Sequence, residues 1–366
     1  MTTLFLALLL IPAACLLRAQ PPANVVSPEL LPEHRATLRI RAPKAAEVTL
    51  TADWIPAGTT EKLVKDDAGV WSVTVGPLEP GIYIYSFTVD GTPMADPVNP
   101  RIKLRARTSA SLLEIPADPP ALWQPRDVPH GAVEINWEKT KAISGETRAM
   151  WIYTPPGYEK SSGRYPVLYL LHGSNDTPAG WTMVGGANFI LDNLIAEKQA
   201  APMIVVMPFG HALPFGAARG PRSNDQVFEE YLLQDVIPLV EAKYRVSPGR
   251  SNRAIAGLSM GGGQSLAIGF NHLDLFSAIG AFSAAVPADF ETRYSDVLKH
   301  SAETNAKLKV LWLGCGKQDA LFPRSQKLAD LFQAHQIKHT FRAIDGFHTY
   351  AVWRKFLAEM APLLFR

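Results

Sequence analysis

A serine, an aspartate and a histidine occur in this chain in an order that could perform acyl transfer. Ser259 lies at the centre of Gly257-Leu258-Ser259-Met260-Gly261, directly after a short apolar run. A Gly-x-Ser-x-Gly pattern between a strand and a helix is typical of a nucleophile on a sharp, strained turn, where the glycines leave room for neighbouring chains. A serine hydroxyl is a poor nucleophile at neutral pH, so it needs a histidine base and a carboxylate that orients that base.

The partners of this serine should follow later strands, because active residues of such sheets lie on loops at the carboxyl ends of strands. Asp319 follows the apolar run Val310–Leu313, and His348 follows the last strand-like run, His339–Ile344. The sequence therefore predicts Asp319 as the orienting carboxylate and His348 as the base. Asp345 is the rival carboxylate, although it would share a loop with the histidine.

Further candidates surround the serine. The backbone N–H groups of Ser174 and Met260 would hold the oxygen of a tetrahedral intermediate. Side chains in nearby loops could contact substrate, with plain packing as the alternative, and these are His172, Trp181, His211 and Phe347. No His, Cys or carboxylate cluster has the spacing of metal ligands, so no metal or cofactor is expected.

The region 129–366 predicts the elements that would position these groups. Continuous apolar runs of strand length alternate with helical patterns, which is typical of parallel strands covered on both faces. Runs at 132–136 and 150–154 predict an antiparallel pair at the sheet edge. The predicted fold is α/β, an α/β-hydrolase with a doubly wound, mainly parallel sheet. Its strand-like runs are Val167–Leu171, Met203–Met207, Ala254–Ala256, Ala278–Phe282 and Val310–Leu313.

The preceding region, 25–115, alternates apolar and polar residues in period two between turn signals. This pattern predicts short antiparallel strands packed as an all-β sandwich domain. Its aromatic residues either stack on a glycan or form the core of the sandwich, and they include Trp54, Trp71, Tyr83 and Tyr85. Residues 116–128 carry four prolines and predict a stiff linker between the two domains.

The composition of the N-terminus and the net charge of the chain indicate the location of the protein and the kinds of partner it can bind. Residues 4–17 are almost wholly apolar, and residues 1–20 are predicted to be an export signal, hence a periplasmic or extracellular location after its removal. The apolar stretch is short for a membrane span, and Pro12 interrupts it. Cys15 suggests lipidation as an alternative, which Pro12 disfavours. A net charge of +2 without a basic run gives no case for a nucleic-acid partner.

Five motifs of the C-terminal region, in order, resemble the esterase D-like family, and within it the feruloyl and acetyl xylan esterases of carbohydrate esterase family 1. The motifs are Tyr153–Tyr158, Tyr169–Gly173, Asn188–Ile195, Gly257–Gly262 and His348–Arg354. The N-terminal region resembles the early-set sandwich modules related to glycogen-binding domains. That second resemblance is carried by Gly69–Trp71, Leu78–Tyr85, Val89–Gly91 and Asp96–Pro100.

These resemblances imply a serine carboxylic-ester hydrolase acting on an esterified plant cell-wall polysaccharide or oligosaccharide, with feruloyl as the first choice of acyl group and acetyl as the second. Phe347 departs from the family, in which small residues usually precede the histidine. This larger side chain could change the shape of the acyl pocket. The alternatives are an enterochelin-type siderophore esterase, an acyl transfer to sugar as in mycolyltransferases, and a non-catalytic carbohydrate-binding protein. The presence of Ser259, Asp319 and His348 argues against the last of these.

Overall fold

The computed structural model describes residues 24–143, 145–215 and 222–366. An antiparallel all-β unit precedes a unit built on a mixed, mainly parallel sheet, as the sequence predicts. Residues 1–20, the predicted export signal, lie outside the described part of the chain. None of the described helices is long and apolar enough to cross a membrane.

The N-terminal unit is a sandwich of two sheets, with strand orders β1-β2-β6-β5 and β4-β3-β7-β10-β9, and β8 pairs with β7. Alternate residues of these strands face inward, so that Leu38, Leu50 and Phe87 are fully buried between the sheets. The strands are β1 Glu29–Leu31, β2 Arg35–Arg41, β3 Val48–Ala52, β4 Glu61–Lys62, β5 Val64–Lys65, β6 Val70–Val75, β7 Gly81–Val89, β8 Thr92–Met94, β9 Ile102–Leu104 and β10 Ser109–Ile115.

The C-terminal unit contains an eight-stranded sheet in the order β11-β12-β14-β13-β15-β16-β17-β18. Strands β13 to β18 are parallel to one another, whereas β12 is antiparallel to both of its neighbours, β14 and β11, and β11 and β12 form the predicted antiparallel pair at the edge. The central strands are buried along their whole length, which explains why they are continuous apolar runs. The strands are β11 Ala132–Lys139, β12 Thr147–Thr154, β13 Val167–Leu171, β14 Ile204–Pro208, β15 Arg253–Leu258, β16 Ala278–Phe282, β17 Val310–Gly316 and β18 Thr340–Ile344.

Helices cover both faces of this sheet. One π-helical turn, Leu232–Val236, joins α3 to α4, and Pro238 is accommodated in the first turn of α4, where its missing N–H has little cost. The helices are α1 Gly180–Met183, α2 Ala187–Ala196, α3 Asn224–Tyr231, α4 Ile237–Lys243, α5 Met260–Asn271, α6 Phe290–Arg293, α7 Ser295–Lys299, α8 Ser301–Lys307, α9 Phe322–Ala334 and α10 Tyr350–Met360. Short 3₁₀ turns occur at Tyr158–Lys160, Arg250–Asn252 and Ala361–Leu363.

The two units pack directly on each other. Arg354 of α10 is buried at 1% exposure and donates a hydrogen bond of 2.7 Å from Nη2 to the carbonyl of Ile82 in β7. The predicted linker has no regular secondary structure, but it is tied down, because Asn193 of α2 donates to the carbonyls of Leu122 and Gln124. The sandwich therefore packs against α10, and the linker packs against α2.

Candidate active site

Ser259 occupies the turn between β15 and α5 with φ 52° and ψ −116°, a conformation that side-chain-bearing residues rarely adopt. A Cβ added to Gly257 would lie 2.5 Å from the carbonyl oxygen of Gly261. A Cβ added to Gly261 would lie 2.5 Å from the carbonyl oxygen of His172. Both distances are far below contact, so a larger residue at either position would force the neighbouring backbone segments apart. This is the steric requirement that the sequence pattern predicts.

His348 and Asp319 form a hydrogen-bonded pair on neighbouring loops at the same edge of the sheet. Nδ1 of His348 lies 2.7 Å from Oδ2 of Asp319, whose side chain is fully buried. Burial raises the pKa of Asp319, but hydrogen bonds from His348 and from the N–H of Leu321 outweigh it and hold the pKa below its ordinary value. The rival Asp345 is 80% exposed and pairs with Lys317 at 3.3 Å. The structure thus pairs His348 with the ionised carboxylate of Asp319.

The serine and the histidine sit at the carboxyl ends of β15 and β18. The hydroxyl of Ser259 makes no hydrogen bond to His348 in the structure, although both residues lie at the same end of the parallel strands. The backbone of Ser259 is well fixed, since its N–H donates to the carbonyl of Phe282 (2.8 Å) and its carbonyl accepts from Gly263 and Ala285.

Ser283, which the sequence analysis did not identify, supports the histidine. It is fully buried with φ 44°, directly after β16, and its hydroxyl accepts a 3.0 Å hydrogen bond from Nε1 of Trp353. The ring of Trp353 packs edge-on against His348 with centroids 4.8 Å apart. Cys315 is buried beside the same hydroxyl, and burial raises the pKa of its thiol. Ser283 thus fixes the indole of Trp353 that packs against the imidazole, and no local sequence pattern marks Ser283.

The two predicted oxyanion donors lie on segments that meet at the serine. Met260 is the first residue of α5, so its N–H has no partner within the helix. Ser174 is exposed on the loop after β13, and a Cβ added to the preceding Gly173 would lie 3.3 Å from Cβ of Ser259. The loop that carries Ser174 therefore runs directly alongside Ser259.

His172 is a buried cross-link between two loops. Its Nδ1 lies 2.8 Å from the carbonyl of Gly173, and its Nε2 accepts a 2.9 Å hydrogen bond from the N–H of Gly210. These partners assign the proton of the neutral ring to Nδ1. Burial lowers the pKa of His172, which keeps the ring neutral. The structure places this candidate under the site, where it fixes the loop after β13, and its side chain has 1% exposure.

The other two aromatic candidates differ in exposure. Trp181 is fully buried, donates from Nε1 to the carbonyl of Leu171 (3.0 Å) and packs edge-on against Phe282 and Tyr350. It belongs to the core below the loop and presents no surface to a ligand in this structure. Phe347 is 40% exposed beside His348.

His211 belongs to an aromatic cluster with Phe209 and Phe215 on the loop after β14. The rings of His211 and Phe215 have centroids 4.4 Å apart, and the guanidinium of Arg107 lies 4.5 Å above Phe215. The loop touches the oxyanion side of the site, because a Cβ added to Gly210 would lie 3.2 Å from Cε of Met260. Burial lowers the pKa of His211 to about 4, so this ring is also neutral at pH 7.

Within the ranges that the structure describes, no three His, Cys, Asp or Glu side chains converge as a metal site would require. The chemistry that the described groups support is attack by a serine on a carbonyl, with histidine as the proton carrier. An α/β sheet with a serine on such a turn defines the class of this protein as a serine esterase. The Esterase family model matches residues 141–364, and the chain belongs to that family.

Individual relatives agree with this class. An endo-1,4-beta-xylanase/feruloyl esterase of Xylanibacter ruminicola is 30% identical over 344 residues, which are 91% of this chain and 45% of that protein. A solved ferulic acid esterase is 28% identical with a TM-score of 0.56, covering 64% of this chain and 97% of that one. The enterobactin esterase FES of Shigella flexneri shares the fold at 20% identity and a TM-score of 0.64, covering 90% of this chain and 92% of that one. The matches cover 45% of the Xylanibacter protein and 56% and 32% of two other curated relatives.

Proposed function

We propose that the protein hydrolyses carboxylic esters through an acyl-enzyme formed on Ser259. His348 takes the proton of the serine hydroxyl as Oγ attacks the ester carbonyl, and Asp319 stabilises the imidazolium. His348 then protonates the leaving alkoxide, and it activates the water that releases the acid. The observation that carries the proposal is the hydrogen bond of 2.7 Å between Nδ1 of His348 and Oδ2 of the buried Asp319. Both residues lie on loops at the carboxyl ends of the parallel strands, where the strained Ser259 also lies.

The N–H groups of Met260 and Ser174 are proposed to bind the oxygen of the tetrahedral intermediates. Such donors, fixed before the reaction, commonly contribute about 10²–10³ in rate each. Two observations support these donors. Met260 is the first residue of α5, where the backbone N–H has no partner within the helix, and Gly173, next to Ser174, packs against Ser259.

The proposed substrate is a feruloyl, or hydroxycinnamoyl, ester of a plant cell-wall polysaccharide. The cluster of Phe209, His211 and Phe215 supports this choice, because it borders Met260 and offers a face on which a planar phenolic ring can stack. Phe215 is 38% exposed and therefore accessible to a ligand. The relative from Xylanibacter ruminicola and the solved ferulic acid esterase support the same acyl group. An acetyl group, the second choice, has no ring to occupy this cluster.

A second candidate substrate is a catecholate trilactone. The solved enterobactin esterase matches 90% of the chain, so its likeness includes the sandwich, whereas the solved ferulic acid esterase matches 64%. Catechol rings are also planar, and the aromatic cluster suits them equally. Only a direct comparison of substrates separates the two candidates.

The sandwich and the N-terminus carry two further proposals. Trp71 and Tyr85 are core residues of the sandwich, which leaves the partly exposed pair Trp54 and Tyr83, with centroids 5.6 Å apart, as the candidates for contact with a glycan. Residues 1–20 are proposed to direct export, as their apolar composition indicates. N-terminal sequencing of protein recovered outside the cytoplasm tests the latter, and an intact residue 1 would contradict it.

One panel of substrates tests the function. Methyl ferulate, acetylated xylan and a catecholate trilactone are assayed with a single preparation of the wild-type protein, of Ser259→Ala and of Ser161→Ala. Ser161 lies before the amino-terminal end of β13, whereas Ser259 follows the carboxyl-terminal end of β15, and Ser161 therefore serves as the matched control. We expect methyl ferulate to give the highest kcat/KM, Ser161→Ala to match the wild type, and Ser259→Ala to be inactive. Fastest turnover of the trilactone would replace the proposed substrate, and activity surviving in Ser259→Ala would refute the mechanism.

A further inference from the structure

Asp176, on the loop after β13, binds three donors from different parts of the chain. Its Oδ1 accepts hydrogen bonds from Nζ of Lys103 and from the N–H of Thr177, and its Oδ2 accepts one from the hydroxyl of Tyr350 at 2.8 Å. The side chain of Asp176 is 9% exposed and that of Lys103 is 3% exposed. The pair is therefore a buried ion pair, and it lies three residues from Gly173.

Lys103 comes from the sandwich and not from the catalytic unit. It is the central residue of β9, and the chain around it follows the same loop closely. The N–H of Ala106 donates to the carbonyl of Asn175 (3.2 Å), and the hydroxyl of Thr177 donates to the carbonyl of Leu104 (3.3 Å). The sandwich thus contacts consecutive residues of the loop that carries Ser174.

The same carboxylate connects this loop to the histidine. Tyr350 is the first residue of α10 and follows His348 by two positions. Its hydroxyl reaches Asp176 across 174 positions of sequence. A Cβ added to Gly180 would lie 2.6 Å from the carboxylate oxygens of Asp176, so a larger residue there would displace this carboxylate. Asp176 therefore joins the oxyanion side of the site to the base side.

A buried ion pair of this kind is weak evidence for a gain in stability. Removing two charges from water costs several kcal/mol per ion, and well-packed apolar replacements are often equally stable. Burial lowers the pKa of Lys103, and the nearby carboxylate of Asp176 opposes that shift. The pair does, however, define one position for the loop, because both side chains are almost fully buried and the ammonium of Lys103 is bonded directly to the carboxylate of Asp176. A role in positioning accounts for the pair better than a role in stability.

We propose that Lys103 acts through Asp176 as a positioning residue for the oxyanion-binding loop, so that the sandwich takes part in the chemical step. The inference rests on the proposed function, since it assumes that the N–H of Ser174 stabilises the transition state. A loop displaced by about 1 Å can cost about 10²-fold in rate without a loss of ground-state binding. The expected signature is therefore a fall in kcat with little change in KM.

The test compares Lys103→Met with Lys62→Met in the full chain. Lys62 also lies on a sandwich strand and pairs with Glu47 at 3.0 Å, but its side chain is 79% exposed and far from the loop in sequence. Turnover of methyl ferulate and of 4-nitrophenyl acetate is measured, together with thermal unfolding. We expect Lys103→Met to lower kcat for both esters by about 10- to 100-fold, with KM changed less than about threefold. Lys62→Met should match the wild type.

The outcomes separate the inference from the function on which it rests. An unchanged kcat in folded Lys103→Met, or a rise in KM alone, would overturn the positioning role while leaving the esterase proposal intact. A wild type without activity on any ester would overturn both. Should Lys103→Met fail to fold, Tyr350→Phe replaces it, because that variant removes one donor to Asp176 and keeps the buried ring. We then expect a fall in kcat of about threefold to tenfold, as for one lost hydrogen bond, and an unchanged kcat would refute the inference.

Discussion

Replacing Gly261 by alanine adds one methyl group at the most crowded point of the nucleophile turn. The new Cβ would lie 2.5 Å from the carbonyl oxygen of His172, whereas ordinary contact begins at 3.4 Å, so the two backbones must separate by 3.4 − 2.5 = 0.9 Å. That carbonyl directly precedes Gly173, which packs against Ser259. A displacement of about 1 Å costs about 100-fold in rate, or about 2.7 kcal/mol of transition-state stabilisation.

The effect on stability should be smaller than the effect on rate. Overpacking costs about 1–3 kcal/mol, but alanine is favoured over glycine in a helix by up to about 1 kcal/mol, and Gly261 lies in the first turn of α5. We therefore expect the free energy of unfolding to fall by about 0–2 kcal/mol while kcat/KM for methyl ferulate falls about 100-fold.

Urea unfolding and steady-state kinetics at one pH measure both quantities. Gly163→Ala is the control, because a Cβ added at Gly163 would lie nearest to the flexible Oγ of Ser161, at 3.1 Å. We expect this variant to keep the wild-type free energy of unfolding and the wild-type kcat/KM. A Gly261→Ala protein that keeps its kcat/KM within about threefold of the wild type would show that the turn relaxes without moving the loop, which refutes the steric argument.

Three other perturbations follow from the site. Asp319→Asn should lower kcat by about 10⁴-fold, since the amide favours the wrong tautomer of His348, whereas Asp345→Asn should have no effect; equal losses would contradict the assignment. The pKa of His211 is about 4 in the folded protein and about 6.5 in the unfolded chain, so at pH 5 only the unfolded chain binds this proton, and the free energy of unfolding should fall as the pH falls. Between pH 7 and pH 5 this group should lower the free energy of unfolding by about 2 kcal/mol. Urea unfolding at the two pH values measures this loss, which His211→Gln should abolish. Phe215→Ala should raise KM for methyl ferulate by about threefold to tenfold and leave 4-nitrophenyl acetate unaffected; an equal change for both esters would remove Phe215 from the acyl site.

Local patterns account for what could be predicted from the sequence. Buried parallel strands need apolar residues on both faces, so β13 and β16 appear in the sequence with the bounds they have in the structure. The turn at Ser259 needs small residues at fixed offsets, and these are visible in a five-residue window. The order of the serine, aspartate and histidine follows from the order of the strands, so the pairing of His348 with Asp319 could also be anticipated.

Contacts between distant segments could not be predicted in this way. Lys103 and Asp176 are 73 positions apart, and Asp176 and Tyr350 are 174 apart, and no local pattern relates them. Trp181 illustrates a second limit, because an aromatic residue in a predicted loop, which here forms the short helix α1, can face the core or the cleft. The structure buries it with its N–H on the carbonyl of Leu171. The direction in which a loop side chain points depends on the packing of the whole fold.

The central claim is that Ser259 is the nucleophile activated by His348. A fluorophosphonate probe phosphonylates an activated serine and leaves unactivated hydroxyls unmodified, and peptide mass spectrometry locates the label. We expect one label per chain, on Ser259, formed together with loss of ester hydrolysis, and a much slower reaction in Asp319→Asn. A label on another residue, or full labelling without loss of hydrolysis, would contradict the account.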